Sequence, residues 1–498
     1  MKRIGFLVLF LALVYSFRAQ SPQPYLVADF AEKDLQAMLN LCHQGGFECL
    51  VVKTPFSTYG HYEWNATFAP EGDLSVRRMV QAAKGQKVTL GLLVQEDAIS
   101  LNDAYFAPKY FNQYQHSEPL TLFDEMSVDD VDIAIYCNEA LKSLTALNLL
   151  QIDDELISIG TMEIAGDLVL LHRCTRGLYG TSRTHHGIHA KVYRIWDNPE
   201  RFVIPDGELR EAVRQHLTER LEAGGVSLVL SKGDSGQEVL DKSIRVRQVE
   251  RWTDGDAANN TLGWFMIHAS DKKRPATSTD DLEWMLSKAA AYNASYGLML
   301  DSKAMKSLGS LPDMLALMRQ WNQLTRNNAF SAVHKEVMKD PYLDWHLESQ
   351  GDSLFLLYPL RFSRRYQCAF QKTDTTLLQA EPWMWKVEED KHYGLRLHVD
   401  GEVEVANPMI NTTKGLVMFP CTLKPGQQLA YNFGDYAYVM DANYNTIMTV
   451  AMEGLPELAQ GDNEVVFFCE VNPSTEQLPV VRLRYITCEQ PFVIHPHK

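Results

Sequence analysis

Short apolar runs alternate with amphipathic stretches in two parts of the chain, before about residue 119 and after about residue 200. Between the runs, apolar residues recur every three or four positions, which is typical of helices that cover a sheet. Strands that alternate with helices predict a parallel sheet, and eight such strands close a (β/α) barrel. The runs predicted as strands are Leu26–Phe30, Leu50–Lys53, Val88–Val94, Val226–Leu230, Leu262–Ile267 and Leu298–Leu300.

Two of the intervening helices carry boundary signals. Gly45-Gly46 follows the first amphipathic stretch and is expected to end it, because glycine accepts the left-handed conformation. Asp280 precedes Glu283 by three residues, a capping-pair spacing that predicts a helix start near Asp280. Gly297 is expected at the C-terminal end of that helix.

Elsewhere the pattern is that of antiparallel strands. Between about residues 120 and 199, alternation of apolar and polar residues replaces helical periodicity. From about Tyr342 onward helices disappear and turn signals recur at short intervals. Ser349–Ser353 and Asp400-Gly401 each lie between two apolar runs and predict hairpins.

Together these patterns predict an α/β plus all-β chain. A (β/α) TIM-like barrel occupies residues 21–119 and 200–335, and it is incomplete unless two strands escape the pattern. A small β domain, residues 120–199, is inserted into it. Residues 336–498 form a C-terminal antiparallel β-sandwich.

The first twenty residues have the pattern of a signal peptide. Lys2 and Arg3 precede a short apolar stretch, Phe6–Tyr15, which is too short to span a bilayer. Cleavage is expected after Ser16 or after Ala19. No second long apolar run follows, so we expect a secreted or periplasmic protein with no integral membrane segment in the mature chain.

Charge and motifs exclude several classes of function. The formal net charge is −16, which repels phosphate backbones and argues against nucleic acid as a partner. A polyanionic glycan would need a local basic cleft, which sequence alone does not reveal. The eight cysteines are widely scattered and form no C-x-x-C pair, so they are either buried thiols or one or two disulfides. The chain has no phosphate-binding loop, dinucleotide fingerprint, G-x-S-x-G elbow or H-E-x-x-H motif, and no cofactor is predicted.

Carboxylates follow the third predicted strand, where parallel folds place their active sites. Glu96 and Asp97 come directly after this strand, and Asp103 lies in the loop beyond. Glycoside hydrolysis needs a pair of carboxyl groups as acid and base or as acid and nucleophile. Glu96, Asp97 and Asp103 are therefore the predicted catalytic residues, although acidic loop residues also serve as caps and turn formers.

The predicted substrate contacts lie in loops at other strand ends. Aromatic rings beside His and Glu suit a sugar, because sugar CH groups pack on ring faces while polar groups bind hydroxyls. Lys232 follows the fourth strand, and Trp264 lies in the fifth, where a core position is the alternative. The candidate substrate-binding residues are His61, Tyr62, Glu63, Trp64, Lys232 and Trp264.

The predicted β insertion contains a further acidic cluster. Asp153, Asp154 and Glu155 either bind a cation or occupy a turn in which Arg176 pairs with one of them. His185, His186 and His189 suggest a metal, but no carboxylate or cysteine completes an evident ligand set. No metal site is predicted.

Four stretches resemble a group of large secreted Bacteroidetes proteins that occur with polysaccharide-degrading enzymes. The resemblance implies barrel, β insertion, barrel and sandwich in that order, and a glycoside-hydrolase-like or lyase-like activity. The group carries an acidic D-G-type motif where this chain has Ser231-Lys232-Gly233, which favours an incomplete site. The four stretches are Tyr59–Asn65, the Asn102-Asp103 loop, Arg176–Thr181, and Leu262–Phe265 followed by Glu283–Leu286.

Three hypotheses about function follow. The first is a secreted glycoside hydrolase or polysaccharide lyase that acts on an extracellular oligo- or polysaccharide. The second is a non-catalytic glycan-binding or scaffolding relative with a degenerate active site. The third, an enzyme acting on peptides or lipids, has no nucleophile motif in its support.

Overall fold

The computed structural model describes most of the chain beyond its first 22 residues. The described ranges are 23–29, 32–54, 70–94, 98–100, 120–137, 149–178, 181–195, 201–203, 208–231, 238–253, 261–351, 353–370, 376–472 and 477–496.

The first part of the chain alternates strands and helices. Its elements are β1 (Tyr25–Asp29), α1 (Leu35–Gly45), β2 (Cys49–Thr54), α2 (Pro70–Gly85) and β3 (Thr89–Val94). Short strands follow as β4 (Ala98–Ser100), β5 (Leu120–Thr121), β6 (Ile133–Tyr136), β7 (Leu149–Ile152), β8 (Glu155–Ser158), β9 (Thr161–Ala165), β10 (Leu168–His172), β11 (Lys191–Ile195) and β12 (Arg201–Val203).

Alternation of helices and strands then resumes. The elements are α3 (Glu208–Ala223), β13 (Leu228–Ser231), α4 (Arg245–Thr253), β14 (Thr261–Ile267), α5 (Thr279–Tyr292), β15 (Ser295–Leu300), α6 (Ala304–Ser307), α7 (Leu311–Arg326) and α8 (Ala332–Met338).

In the described ranges only strands follow α8. They are β16 (Asp344–Ser349), β17 (Phe355–Phe362), β18 (Tyr366–Gln367), β19 (Leu377–Gln379), β20 (Trp383–Val387), β21 (Lys391–Asp400), β22 (Val405–Thr412), β23 (Gly415–Met418), β24 (Thr422–Leu423), β25 (Gln428–Tyr431), β26 (Tyr436–Met440), β27 (Thr446–Ala451), β28 (Glu457–Leu458), β29 (Gly461–Glu470), β30 (Val480–Cys488) and β31 (Phe492–Ile494).

The chain divides into two compact units. The first unit comprises Met1–Val27, Asn40–Cys49 and Ser235–Lys498, and the second comprises Ala28–Leu39 and Leu50–Asp234. Each unit contains parallel strands as well as antiparallel sheets, so each buries its own apolar core.

In the second unit, three strands of the parallel part lie in the order β13-β3-β2. Leu228 pairs with Gly91 and Ser231 with Val94 in the parallel register of β13 and β3. Val51, Leu90 and Leu92 are fully buried, as expected for strands that helices cover on both faces.

The same unit contains two small antiparallel sheets. One has the order β6-β10-β9 and the other β5-β11-β7-β8. Ile135, Leu150, Ile152, Val169 and Val192 belong to one buried cluster that both sheets share. These strands therefore form a β-layered body with its own core.

In the first unit, β1, β15 and β14 are parallel neighbours in that order. Tyr25 pairs with Gly297, and Gly297 also pairs with Trp264. A Cβ atom at Gly297 would come within 2.6 Å of the Trp264 ring, so the close approach of these strands requires glycine there.

The residues that cap helix α5 differ from those predicted from the sequence. Ser278, not Asp280, is its N-cap, and Ser278 and Asp281 bond reciprocally in a capping box. Asn293 at φ 52° ends the helix, while Gly297 lies within β15. The predicted start near Asp280 is confirmed, since the helix begins at Thr279, but the predicted capping pair and the predicted end at Gly297 were wrong. Ser278 and Asp281 form the capping pair, and Asn293 takes the left-handed position at the C-terminal end.

The C-terminal strands form two antiparallel sheets with a common core. The larger sheet has the main order β16-β17-β30-β21-β25-β26-β27, and the smaller has the order β19-β29-β22-β23. Leu397 of the larger sheet and Phe467 of the smaller are both fully buried in one apolar cluster. This is the arrangement of a β-sandwich.

The mixed α/β and antiparallel architecture predicted from the sequence is confirmed in outline. All six predicted parallel strands form, as β1, β2, β3, β13, β14 and β15, and the described ranges contain no seventh. The hairpin across Ser349–Ser353 is confirmed by the pairing of β16 with β17. The hairpin at Asp400-Gly401 is wrong, because β21 and β22 belong to different sheets.

Two further findings concern the apolar and sulfur-containing residues. None of the helices in the described ranges is long and apolar enough to cross a membrane.

All eight cysteines carry free thiols, and six of them are buried, which confirms the buried-thiol alternative.

Candidate functional site

Most of the residues predicted to act on substrate lie outside the described ranges, and their roles remain predictions. These residues are Glu96, Asp97, Asp103, His61, Tyr62, Glu63, Trp64 and Lys232.

Trp264 is the one predicted contact that the structure describes. Its side chain is buried, and its indole Nε1 donates a hydrogen bond to the Tyr25 hydroxyl over 3.0 Å. The ring lies against Gly297 between parallel strands. This environment fits the alternative of a core tryptophan.

A large cavity lies within the first unit and has a volume of about 1380 Å³. The start of α5, the strands β16, β17, β25 and β26, and the C-terminal segment frame it. Its charge is strongly negative, with Lys391 and Arg396 as the only basic side chains besides histidine in its lining. Its carboxylates are those of Asp280, Glu283, Asp313, Glu348, Glu389, Asp390, Asp435 and Glu489.

A Glu–His pair, Glu283 and His346, forms part of the wall of this cavity. Glu283, on α5, is 2% exposed, and it accepts hydrogen bonds from the Leu347 backbone N–H at 2.8 Å and from Trp321 Nε1 at 3.4 Å. Its second oxygen contacts His346 Nδ1 at 2.8 Å. A buried carboxylate is costly unless it is bonded in this way, so Glu283 is held in one orientation.

His346 is poised to exchange a proton. Because a carboxylate only accepts, Nδ1 carries the hydrogen in the bond to Glu283, and Nε2 has no hydrogen bond to any described residue. Burial acts to lower the pKa of His346, but Glu283, with smaller contributions from Asp280 and Glu348, raises it above its ordinary value. The His346 side chain is 47% exposed and lines the cavity.

Tyr358 completes a cluster with this histidine. Antiparallel pairing of β16 and β17 places Tyr358 opposite His346, and their rings stack with centroids 6.4 Å apart. Burial and the neighbouring Glu348 raise the pKa of Tyr358, so its hydroxyl stays protonated at neutral pH. A carboxylate, an imidazole and a phenol thus adjoin one another at the wall, which is a set able to donate and accept protons.

Aromatic residues also line the cavity, among them Tyr431, Phe433, Tyr438 and Tyr444. Phe433 and Tyr444 have φ values of 63° and 56°, a left-handed conformation that bulky residues rarely adopt. Such backbone strain persists only where the surrounding structure holds it, and it concentrates at ligand sites. The rings provide apolar faces next to carboxylates that accept hydrogen bonds.

The acidic cluster of the second unit has a structural role. Asp153 and Asp154 form the turn between β7 and β8, and the fully buried Glu155 bonds Arg176 through both oxygens at 2.6 and 2.7 Å. Burial acts to raise the pKa of Glu155, but Arg176, Thr184 and His186 hold it at about 2. The predicted pairing of Arg176 with one of these acids is confirmed.

His186 bridges the same cluster, with Nδ1 at 2.7 Å from Asp153 and Nε2 at 2.9 Å from Glu155. Both ring nitrogens are therefore engaged by carboxylates. No grouping of His, Cys, Asp and Glu suited to a metal ion occurs in the part of the chain that the structure describes.

The Glu283–His346 pair was not among the residues predicted from the sequence. The alternation of β16 places His346 and Glu348 on its exposed face and Trp345 and Leu347 on its buried face, a signal that could have marked the histidine. The partner lies 63 positions earlier, on a helix, and no spacing rule links the two.

No protein-family model matches this sequence, and no curated protein matches it. Among solved structures, the chain is similar to a maltogenic α-amylase from Thermotoga neapolitana, with 9% identity, a TM-score of 0.29, and coverage of 87% of this chain and 99% of that one.

Two further similar structures are also glycoside hydrolases. An α-amylase from Geobacillus thermoleovorans, in complex with acarbose, has 9% identity, a TM-score of 0.30, and coverage of 90% and 98%. An α-galactosidase from Lactobacillus brevis has 10% identity, a TM-score of 0.30, and coverage of 93% of this chain and 56% of that one. Likenesses of this size carry no argument about activity.

Proposed function

We propose that this chain is a carbohydrate-active protein that binds an extracellular glycan in the acidic, aromatic-lined cavity of its first unit. The observation that carries the proposal is the combination of aromatic lining residues, of which Tyr438 is exposed, with eight carboxylates around about 1380 Å³. Sugars present CH groups to ring faces and hydroxyls to acceptors, and both kinds of partner are available here.

The volume supports a ligand larger than a single small molecule. Ordinary small-molecule pockets enclose roughly 300–1,000 Å³, and this cavity exceeds that range. We infer that a bound oligosaccharide spans several sugar units, with Tyr438 as one stacking surface.

Calorimetry tests the binding site directly. We expect Tyr438→Ala, which removes a ring that is 39% exposed in the lining, to weaken binding of the best neutral oligosaccharide of a broad panel about tenfold. Tyr436→Ala is the matched control, because Tyr436 lies two residues earlier on β26, is 53% exposed and is outside the lining. Equal losses in both variants, or no heat with any glycan, would reject the site.

For catalysis of glycan cleavage, we propose two alternative acid–base centres, which substitutions can distinguish. The first is the predicted set Glu96, Asp97 and Asp103 at the third strand end. The second is His346, oriented by Glu283, whose geometry supports proton transfer. Product analysis on the same panel should show a sharp loss either in Glu96→Gln, Asp97→Asn and Asp103→Asn, or in His346→Gln. Full activity in all four variants would exclude both assignments.

A non-catalytic glycan-binding role is the second candidate. It is favoured by the count of six parallel strands in the described ranges, two fewer than a closed barrel. Retained binding through Tyr438 together with no products from any glycan would support this role over hydrolysis or lyase action.

We further propose that the chain is exported to the periplasm or secreted. The support is the basic pair Lys2 and Arg3 followed by the apolar stretch Phe6–Tyr15. Mass spectrometry of the protein from a bacterial host should find a new N-terminus after Ser16 or Ala19. An intact N-terminus in the cytoplasmic fraction would contradict export.

A further inference from the structure

A second cavity of the first unit has the opposite charge. It encloses about 480 Å³ beside the loop that follows β14, and its lining contains eight Lys and Arg side chains against four aspartates. We call it the basic cleft. In a protein with a net charge of −16, such a local excess of cations is not a consequence of composition.

The floor of the basic cleft is the outer face of two central strands. On β21, Leu395, Leu397 and Val399 are buried in the sandwich core, so Arg396 and His398 point to the other face. The antiparallel register places Arg484 of β30 opposite Arg396, and Arg482 opposite His398. Like charges directly opposite each other destabilise a sheet, so this face is arranged at a cost to stability.

Part of this charge is neutralised within the protein. Arg396 bonds Asp280 at 3.2 and 3.3 Å, and Arg482 bonds Asp400 through two donors. Arg484 has no ion pair with a carboxylate in the described ranges. It donates to the Ser363 carbonyl and packs over the Phe362 ring at 4.4 Å.

At the rim, Lys273 and Arg365 are exposed, and neither side chain has a hydrogen bond or ion pair with any described residue. Together with Arg484, they supply the cleft with positive charge that no ion pair in the described ranges neutralises. Charge of one sign concentrated in a concave site attracts the opposite charge.

His398 adds a neutral polar group to this floor. Burial, followed by the nearby Arg482, lowers its pKa to about 4, so the imidazole is uncharged at neutral pH. Its ring makes no hydrogen bond to a described residue, and Gln428 lies opposite on β25. One imidazole nitrogen donates and the other accepts, which suits a hydroxyl group.

We propose that the basic cleft binds an anionic saccharide, with a uronate carboxylate or a sulfate ester held by Arg484, Arg365 and Lys273, and a sugar hydroxyl held by His398. A volume of about 480 Å³ is that of a small-molecule site and exceeds what one inorganic anion fills. The identification of a sugar rests on the proposed function, whereas the anionic class rests on the cleft alone.

Calorimetry with three probes tests the proposal. The probes are trigalacturonate, a carrageenan-derived tetrasaccharide that carries sulfate but no uronate, and neutral galactotriose. We expect at least one anionic probe to bind, and any heat with galactotriose to be unchanged in Arg365→Ala/Lys273→Ala, because a neutral sugar should not occupy the basic cleft. Binding of the anionic probe should weaken at least fivefold between 50 and 300 mM salt, because ionic contacts are screened.

Variants locate the binding. The double variant Arg365→Ala/Lys273→Ala should weaken the anionic probe at least tenfold, and His398→Ala should weaken it about threefold. Lys306→Ala, which removes an exposed cation outside the cleft, is the matched control and should change nothing. Equal losses in Lys306→Ala and in the double variant would overturn the proposal.

Two outcomes separate this proposal from the proposed function. If Tyr438→Ala abolishes neutral oligosaccharide binding and leaves the anionic probe unchanged, the two cavities are independent and both proposals stand. If inorganic sulfate at equal concentration displaces trigalacturonate and the tetrasaccharide completely, the cleft is an anion site without sugar selectivity and the saccharide assignment is wrong. No heat with any anionic probe would overturn the site itself.

Discussion

Two cavities of the first unit share a boundary and differ in charge. Ser278, Asp280, Arg396 and Tyr444 line both of them, yet eight carboxylates surround the larger cavity and eight Lys and Arg side chains surround the smaller. The same sandwich therefore presents two chemically opposite surfaces. Acidic and basic side chains are therefore separated between the two cavities, and the net charge of −16 does not reveal the charge of either one.

The two histidines at these sites show the same contrast. Glu283 raises the pKa of His346, against the effect of burial. Burial and Arg482 lower the pKa of His398 to about 4. The pKa values of these two histidines thus shift in opposite directions, because burial favours the neutral imidazole at both and the Glu283 carboxylate outweighs burial only at His346.

The difference assigns different chemistry to each cavity. The acidic cavity has a proton-exchanging pair beside aromatic faces, which suits binding or cleavage of a neutral sugar. The basic cleft has cations without an ion pair in the described ranges and a neutral imidazole, which suits an anionic group. A ligand that fits one cavity should therefore be rejected by the other.

Removing the shared aspartate should produce the largest change. Asp280 and Arg396 are only 20% and 17% exposed, and Asp280→Asn leaves the arginine without its carboxylate. We expect a loss of about 1–3 kcal/mol in the free energy of unfolding by urea, together with tighter binding of anionic probes to the basic cleft. Asp435→Asn, an exposed acid of the larger cavity, is the control and should cost less than about 0.5 kcal/mol. Equal stability of the two variants would show that the boundary pair has no special role.

The next effect in size is expected in the pH dependence of the free energy of unfolding, through His398. Between pH 6.5 and about 4 the unfolded chain binds a proton at this residue while the folded chain does not. His398 therefore contributes stability above pH 6.5 that is lost as the pH falls toward 4, by about 1–3 kcal/mol in total. Urea unfolding at several pH values measures the slope, which His398→Asn should reduce. An identical slope in both proteins would contradict the neutral imidazole.

The opposite sign is expected for His346. Because its folded pKa is raised, the stabilising pair with Glu283 is fully formed below pH 6.5 and is lost as the pH rises through the raised value. The effect should be about 1 kcal/mol or less, since the side chain is 47% exposed. NMR titration should show the pKa of His346 fall in Glu283→Gln and stay unchanged in Glu389→Gln. A His346 pKa that does not respond to Glu283→Gln would exclude the pair as the cause.

Much of the fold is predictable because periodicity is local. All six parallel strands coincide with apolar runs, and the hairpin at Ser349–Ser353 follows from its turn residues. The Asp400-Gly401 turn has an equally good signal, yet it connects β21 to a strand of the other sheet. A turn motif specifies a reversal of the chain, whereas the choice of sheet depends on which core the flanking residues enter.

The sites were far less predictable, because periodicity is local and each site joins residues from distant segments of the chain. Alternation along β21 and β30 identifies Arg396, His398, Arg482 and Arg484 as residues on an outer face. Only the register, which joins positions more than 80 residues apart, makes them one surface. The Glu283–His346 contact spans 63 residues and joins a helix to a strand. Contacts between distant segments depend on packing, and spacing rules do not encode them.

The smallest effect on stability is expected at the rim of the basic cleft. This prediction tests most directly whether the cations of the cleft serve ligand binding or the fold. Arg365 is exposed and has no ion pair among the described residues, so Arg365→Ala should change the free energy of unfolding by less than about 0.5 kcal/mol. The same variant should still weaken trigalacturonate or the sulfated tetrasaccharide several-fold, since its charge faces the ligand and not a protein partner. Paired urea unfolding and calorimetry on one preparation separate the two effects. A loss of stability without a loss of affinity would mean that Arg365 supports the fold, and the cleft would then lack one of its free cations.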